Sequence, residues 1–175
     1  MSKLIMLIRH AEKPVGGRGG VSVEGRPDDN SLSVVGWQRA GALVPFFSRL
    51  GARTSRGLIA TPRHIFAARP TRGHASTRPA DTVAPLADAL GLRVDDRWSD
   101  IDAVEDVAAT LRAMRSPELV CWQHDHIPVL GRAILGSNAL PKAWAEDCFN
   151  VVWVFLLRDR HWTLEQVPQK LLAGD

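Results

Sequence analysis

Arg9 and His10 stand side by side at the end of a short apolar run, Lys3-Leu4-Ile5-Met6-Leu7-Ile8. The pairing suits a phosphorylated ligand. A guanidinium can fork two phosphate oxygens, and a neutral imidazole can attack phosphorus. Arg78 stands at the mouth of an expected helix, and His124 follows another apolar run, Glu118-Leu119-Val120-Cys121-Trp122. Two arginines and two histidines around one point would make a pocket for a dianion, with positive charge placed to stabilise a transferring phosphoryl group. Asp125 follows His124 directly, and Glu12 comes two residues after His10. His124-Asp125-His126 also offers the imidazoles and carboxylate that suit zinc. At a strand-to-helix junction those imidazoles should diverge, so the reading adopted has no metal and no cofactor.

The elements that must position these groups alternate between strand and helix. The run ending at Ile8 reads as a strand buried on both faces, and ligands of open α/β sheets bind at the carboxyl ends of such strands. Val15 to Asn30 is a Gly-, Pro- and Asp-rich loop without the Lys-Ser/Thr ending of a nucleotide loop, which makes it a rim. Ser33 caps an expected helix from Val34 to Leu50, with Ala40, Leu43, Phe47 and Leu50 on one face and a kink at Pro45. Gly57-Leu58-Ile59-Ala60 reads as a second strand, and the basic stretch from there to Thr77 as irregular. A helix opens with Pro79 in its first turn, kinks at Pro85 and stops at Gly91. Asp102 and Glu105 resemble a capping box for a helix to about Met114. Pro128 opens another helix that reaches Leu135, and Val151–Leu157 with Trp162–Val167 forms an antiparallel hairpin. The fold class is therefore α/β: a three-layer α/β/α sandwich with a mostly parallel central sheet and a C-terminal antiparallel hairpin.

At 175 residues, 45% hydrophobic and 23% charged, the chain has the size and balance of one domain spanning residues 1–175. A net charge of +3 is mild, and several arginines cluster between Arg63 and Arg78, so local positive potential is expected and no nucleic-acid partner. Two cysteines outside any Cys-x-x-Cys pair and the lack of a long apolar segment point to a cytoplasmic protein with no membrane partner.

Four stretches, in order, resemble the histidine phosphatases, also called the phosphoglycerate-mutase-like superfamily. They are Arg9-His10-Ala11, Leu32-Ser33-Val34-Val35-Gly36 through Ala40, Arg78-Pro79-Ala80-Asp81-Thr82, and the strand, His124 and helix from Val120 to Leu130. The resemblance implies a metal-independent phosphatase that hydrolyses a phosphomonoester through a phosphohistidine on His10. Arg9, Arg78 and His124 would bind the phosphoryl oxygens. The substrate would be a small phosphorylated metabolite or a phosphoprotein. Mutase-type phosphoryl transfer and a non-catalytic phospho-ligand module are the alternatives. Only Arg78 has a Thr four residues on at a helix start, so it is preferred over Arg63, Arg69 and Arg72. His-Asp is the pairing of the acid-phosphatase branch, which makes Asp125 the candidate general acid and Glu12 its runner-up.

Overall fold

A computed structural model describes residues 3–16, 19–48, 58–100, 102–114 and 117–175. Strand β1 (Leu4–Arg9) is buried at every position, as its unbroken apolar run requires. Its residues alternate between two cores: Ile5 and Leu7 belong to one, Leu4, Met6 and Ile8 to the other. Helix α1 (Val34–Phe47) and helix α2 (Arg78–Leu90) cover the second core with Leu43, Phe47, Val83, Leu86 and Ala87. Helix α3 (Val104–Ala113) and helix α4 (Ile127–Leu135) cover the first with Val107, Leu111, Leu130 and Ile134. Helices thus flank both faces of one sheet.

The remaining strands are β2 (His64–Ala67), β3 (Val94–Asp95), β4 (Glu118–Trp122), β5 (Val151–Arg158) and β6 (His161–Pro168). Their order is β3-β2-β4-β1-β5-β6. The pairings from β3 to β1 are parallel, and β5 joins β1 and β6 antiparallel. The hairpin turns at Asp159 and Arg160, both at positive φ (47° and 67°). Ser33 caps α1 by accepting from the Gly36 amide, and Gly91 and Gly136 end α2 and α4 in the left-handed conformation. Pro45 lies within the last turn of α1, and Leu50, expected in that helix, falls outside the described residues.

Two local expectations are corrected. Leu58 to Ala60 is not a strand (Gly57 lies outside the described residues), and the second strand is His64–Ala67, inside the stretch read as irregular. The apolar run Ile65-Phe66-Ala67-Ala68 is short and flanked by Arg63, His64 and Arg69, so it carries little periodicity. What makes it a strand is pairing with both β4 and β3, which buries Ile65, Phe66 and Ala67. Asp102 does not cap α3. It accepts instead from the Ser99 amide and hydroxyl at 2.6 and 3.0 Å, an equally local alternative for a short carboxylate. Trp122, Trp144 and Trp153 pack in the core, and Trp37 pins the rim loop through its indole N–H on the Val21 carbonyl, 2.6 Å. No helix among the described residues is long and apolar enough to cross a membrane.

Candidate active site

β1 and β4 are parallel neighbours, with Arg9 opposite Trp122, so both strands exit at the same edge of the sheet. The His10 amide continues the ladder to the Trp122 carbonyl at 3.2 Å, which seats His10 beside the chain leading to His124. The two imidazoles stand edge to face with centroids 6.5 Å apart. His10 is only 2% exposed. Its Nδ1 lies 2.7 Å from the Ala11 carbonyl, which can only accept, so Nδ1 carries the proton and the neutral ring keeps its lone pair on Nε2. Burial, opposed by that carbonyl but joined by the charges of Arg9, Arg78 and His124, pushes the imidazole down to about 3. His10 is therefore a neutral imidazole with its Nδ1 proton fixed by the Ala11 carbonyl.

Arg9 is also 2% exposed. One terminal nitrogen, Nη1, donates to the Glu146 carbonyl and reaches those of Ala145 and Cys148 at 3.4 Å. The Phe149 ring lies 3.9 Å from the guanidinium carbon and 6.3 Å, centroid to centroid, from the His10 ring. Nε and Nη2 are buried and have no hydrogen-bond partner among the described residues. A buried guanidinium with unused donors is costly, and burial pulls it down to about 10. Those donors match the geometry of an oxyanion.

Arg78 opens α2, and its guanidinium is steered by the carbonyls of Ser31 (Nε, 3.1 Å) and Asp29 (Nη2, 2.6 Å). Thr82, one turn later, accepts from the Ala11 amide at 2.8 Å and donates to the Arg78 carbonyl at 2.7 Å. This single hydroxyl ties the residue after His10 to the turn that carries Arg78. Gly36 does comparable work on α1: a Cβ there would stand 2.5 Å from the Glu12 carbonyl, so only glycine lets the helix approach. Three of the four stretches of the sequence resemblance are therefore linked through Ala11 and Glu12, and the fourth joins them through the His10 amide and the Trp122 carbonyl. Arg69 faces Asp102 at 3.9 Å, and Arg78 is among the largest charges felt by His10.

Asp125 follows His124 and its charge is felt by both His124 and Arg9. Its carboxylate meets His126 Nδ1 at 3.1 Å and is more than half exposed. Burial pushes it up, but His126, its own backbone amide and His124 outweigh that and leave it below the usual carboxylate value. Glu12 is engaged elsewhere: both of its oxygens accept from Arg39, at 2.8 to 3.2 Å. Arg39 also binds Asp175 and Gln169, clasping the last residues of the chain to α1. His124 is lowered by burial and by Arg9, in a position where an anion would restore its proton. His126 faces Asp125 and Asp100 whereas His124 faces His10, so the two do not converge, and no group of three potential metal ligands occurs among the described residues.

The sequence carried no signal for the segment from Ala145 to Phe149, yet it holds Arg9 and borders His10. A cleft of about 660 Å³ opens beside it, with Glu12, Lys13, Val15, Val34, Val35 and Phe149 among its lining.

Neither family models nor curated protein sequences match the chain. Solved structures do. The protein histidine phosphatase SixA complexed with tungstate superposes with a TM-score of 0.61 at 12% identity, covering 95% of this chain and 97% of that one. A mycobacterial glucosyl-3-phosphoglycerate phosphatase gives 0.59 at 14% identity, with 94% and 98% covered. A variant of phosphoserine phosphatase from Entamoeba histolytica, in complex with phosphoserine, gives 0.59 at 12%, with 97% and 98% covered. At such identities the likeness speaks for architecture, and it agrees with the four motif stretches found in order along the sequence. The chain has the fold of the histidine phosphatases, the phosphoglycerate-mutase-like superfamily.

Proposed function

We propose that the protein is a metal-independent phosphatase that hydrolyses a phosphomonoester through a phosphohistidine on His10. The observation that carries this reading is the buried Arg9 fork with two unpartnered nitrogens beside a neutral His10 whose Nε2 is free. Arg9, Arg78 and His124 bind the phosphoryl oxygens and neutralise charge that builds in the transition state. The Nε2 lone pair forms a bond to phosphorus while the bond to the leaving oxygen breaks. Asp125, whose charge is felt by Arg9 and His124, supplies the proton that the departing alkoxide takes up. The charge of a bound phosphate opposes the lowering by His126 and His124, whereas Glu12 is tied to Arg39 through both oxygens. Water then gives a proton to the Asp125 carboxylate and attacks phosphorus, the P–N bond breaks with its electron pair returning to Nε2, and inorganic phosphate leaves a neutral His10.

The test is turnover of p-nitrophenyl phosphate in excess chelator, with rapid-quench capture of labelled enzyme. Acid-labile, base-stable label that is lost in His10→Ala, together with inhibition by vanadate, is expected. Undiminished turnover in His10→Ala would end the mechanism, and activity that chelator abolishes would transfer it to a metal. Binding of phosphate without any turnover would leave a phospho-ligand module.

A further inference from the structure

The cleft beside the phosphoryl site is walled by apolar side chains that stay exposed among the described residues. Val15, Val34 and Val35 are 68%, 62% and 47% exposed. All three line this one cleft, together with Phe149, whose ring also stacks on Arg9 and borders His10. Val34 and Val35 form the first turn of α1, where a surface helix ordinarily carries polar residues. Exposed apolar groups scattered over a surface need no explanation, but groups gathered in a concave site next to a reactive centre mark a ligand surface.

Of the four charged groups in the same wall three are engaged with one another or with Arg39, and the fourth, Asp147, is an anion that would not attract a phosphorylated substrate. Glu12 is bound by Arg39, and Lys13 pairs with Glu146 at 2.9 Å. A polyhydroxylated leaving group would lose its water here and find few free partners, an unfavourable exchange. An alkyl or aryl group would lose only apolar hydration. The volume of about 660 Å³ fits a small ligand and is a cleft, not the flat surface a folded protein would need.

We infer that the cleft lined by Val15, Val34, Val35 and Phe149 receives an apolar organic group, so that the site takes amphiphilic phosphomonoesters with an alkyl or aryl leaving group and discriminates against sugar phosphates. The phosphate would sit on Arg9, Arg78 and His124, and the apolar group would pass the Phe149 ring toward the valines. The inference deepens the phosphatase reading and rests on it for the position of the phosphate.

Alkylphosphonates test the cleft apart from the chemistry, because their P–C bond is not hydrolysed. Calorimetric titration of the wild type with methyl- to octylphosphonate should show Kd falling by roughly twofold to fourfold per methylene until the cleft is filled. Glucose 6-phosphate should bind no better than methylphosphonate. Val35→Asn should flatten the chain-length dependence, and the near-isosteric Val35→Thr should do so in part should the Asn variant fold poorly. A total change under about tenfold across the seven added methylenes would overturn the inference. So would tighter binding of glucose 6-phosphate than of octylphosphonate, or an unaltered chain-length dependence in both Val35 variants. A flat series accompanied by tight binding of a phosphohistidine peptide would overturn it in favour of a protein substrate. p-Nitrophenyl phosphate turnover, measured in parallel, keeps the two readings distinct. A steep phosphonate series without turnover would end the hydrolase reading while upholding the apolar cleft.

Discussion

Replacing Arg9 by Met should separate binding from stability. The buried guanidinium, held at about 10 against an ordinary 12.5, costs the folded state about 3 kcal/mol. Because the lowered group is a base, that penalty is complete at every pH below about 10 and is relieved only as pH rises through it. Met removes the penalty. It also removes the charge-assisted bond from Nη1 to the Glu146 carbonyl and the contact with the Phe149 face, together worth about 3 kcal/mol. The two nearly cancel, so urea unfolding of Arg9→Met should stay within about 1–2 kcal/mol of wild type, unusual for so buried a side chain. Binding should collapse instead. Vanadate at a hundred times its Kd should stabilise the wild type by about 2.7 kcal/mol, a Tm rise of roughly 5–10 °C, and should not stabilise the variant. Turnover should fall a hundredfold or more, about 3 kcal/mol of transition-state stabilisation. Loss of more than about 4 kcal/mol of stability, or a full vanadate shift in Arg9→Met, would show that the guanidinium is structural and refute the argument.

His10, held near 3, should titrate in NMR as a neutral Nδ1–H imidazole from pH 8 down to about 4. The unfolded chain takes up that proton near 6.5, so stability should fall as pH drops from 6.5 toward 3. Arg78→Ala should lower kcat/KM about a hundredfold or more, with Arg63→Ala, Arg69→Ala and Arg72→Ala each within a few fold, and a larger defect at Arg63 would misplace the second clamp. Asp125→Asn should slow phosphoryl transfer strongly with a poor alcohol leaving group and little with nitrophenol, and equal effects would reject it as the acid. Asp175→Asn should cost about 2 kcal/mol in urea unfolding at neutral pH by releasing part of the Arg39 clasp. The Asp175 carboxyl lies below its ordinary value through Arg39, so the same stability should vanish from the wild type as pH falls below about 4.

What the sequence determined by itself was local and periodic. The unbroken apolar runs of β1 and β4 need burial on both faces, which places Arg9, His10 and His124 at strand ends before any packing is known. Ser33 read as a cap, Gly91 as a stop, and Arg78 with Thr82 as a helix start, whereas the close approach at Gly36 emerged only from packing against Glu12. Tertiary structure alone decided the rest, because the partners lie far apart along the chain. β2 exists through its pairing with β4 and β3, not through its own weak pattern. Arg9 finds its carbonyls more than 130 residues away, and Arg39 finds Asp175 at a similar distance. In sequence, only the His-Asp pairing of the resemblance put Asp125 ahead of Glu12. Arg39 and His126 separate them, since a carboxyl's role is set by whatever charge the fold brings beside it. The apolar cleft was equally out of reach: Val34 and Val35 sit on α1 as any exposed valines would, and only the return of Phe149 to the phosphoryl site makes them a wall.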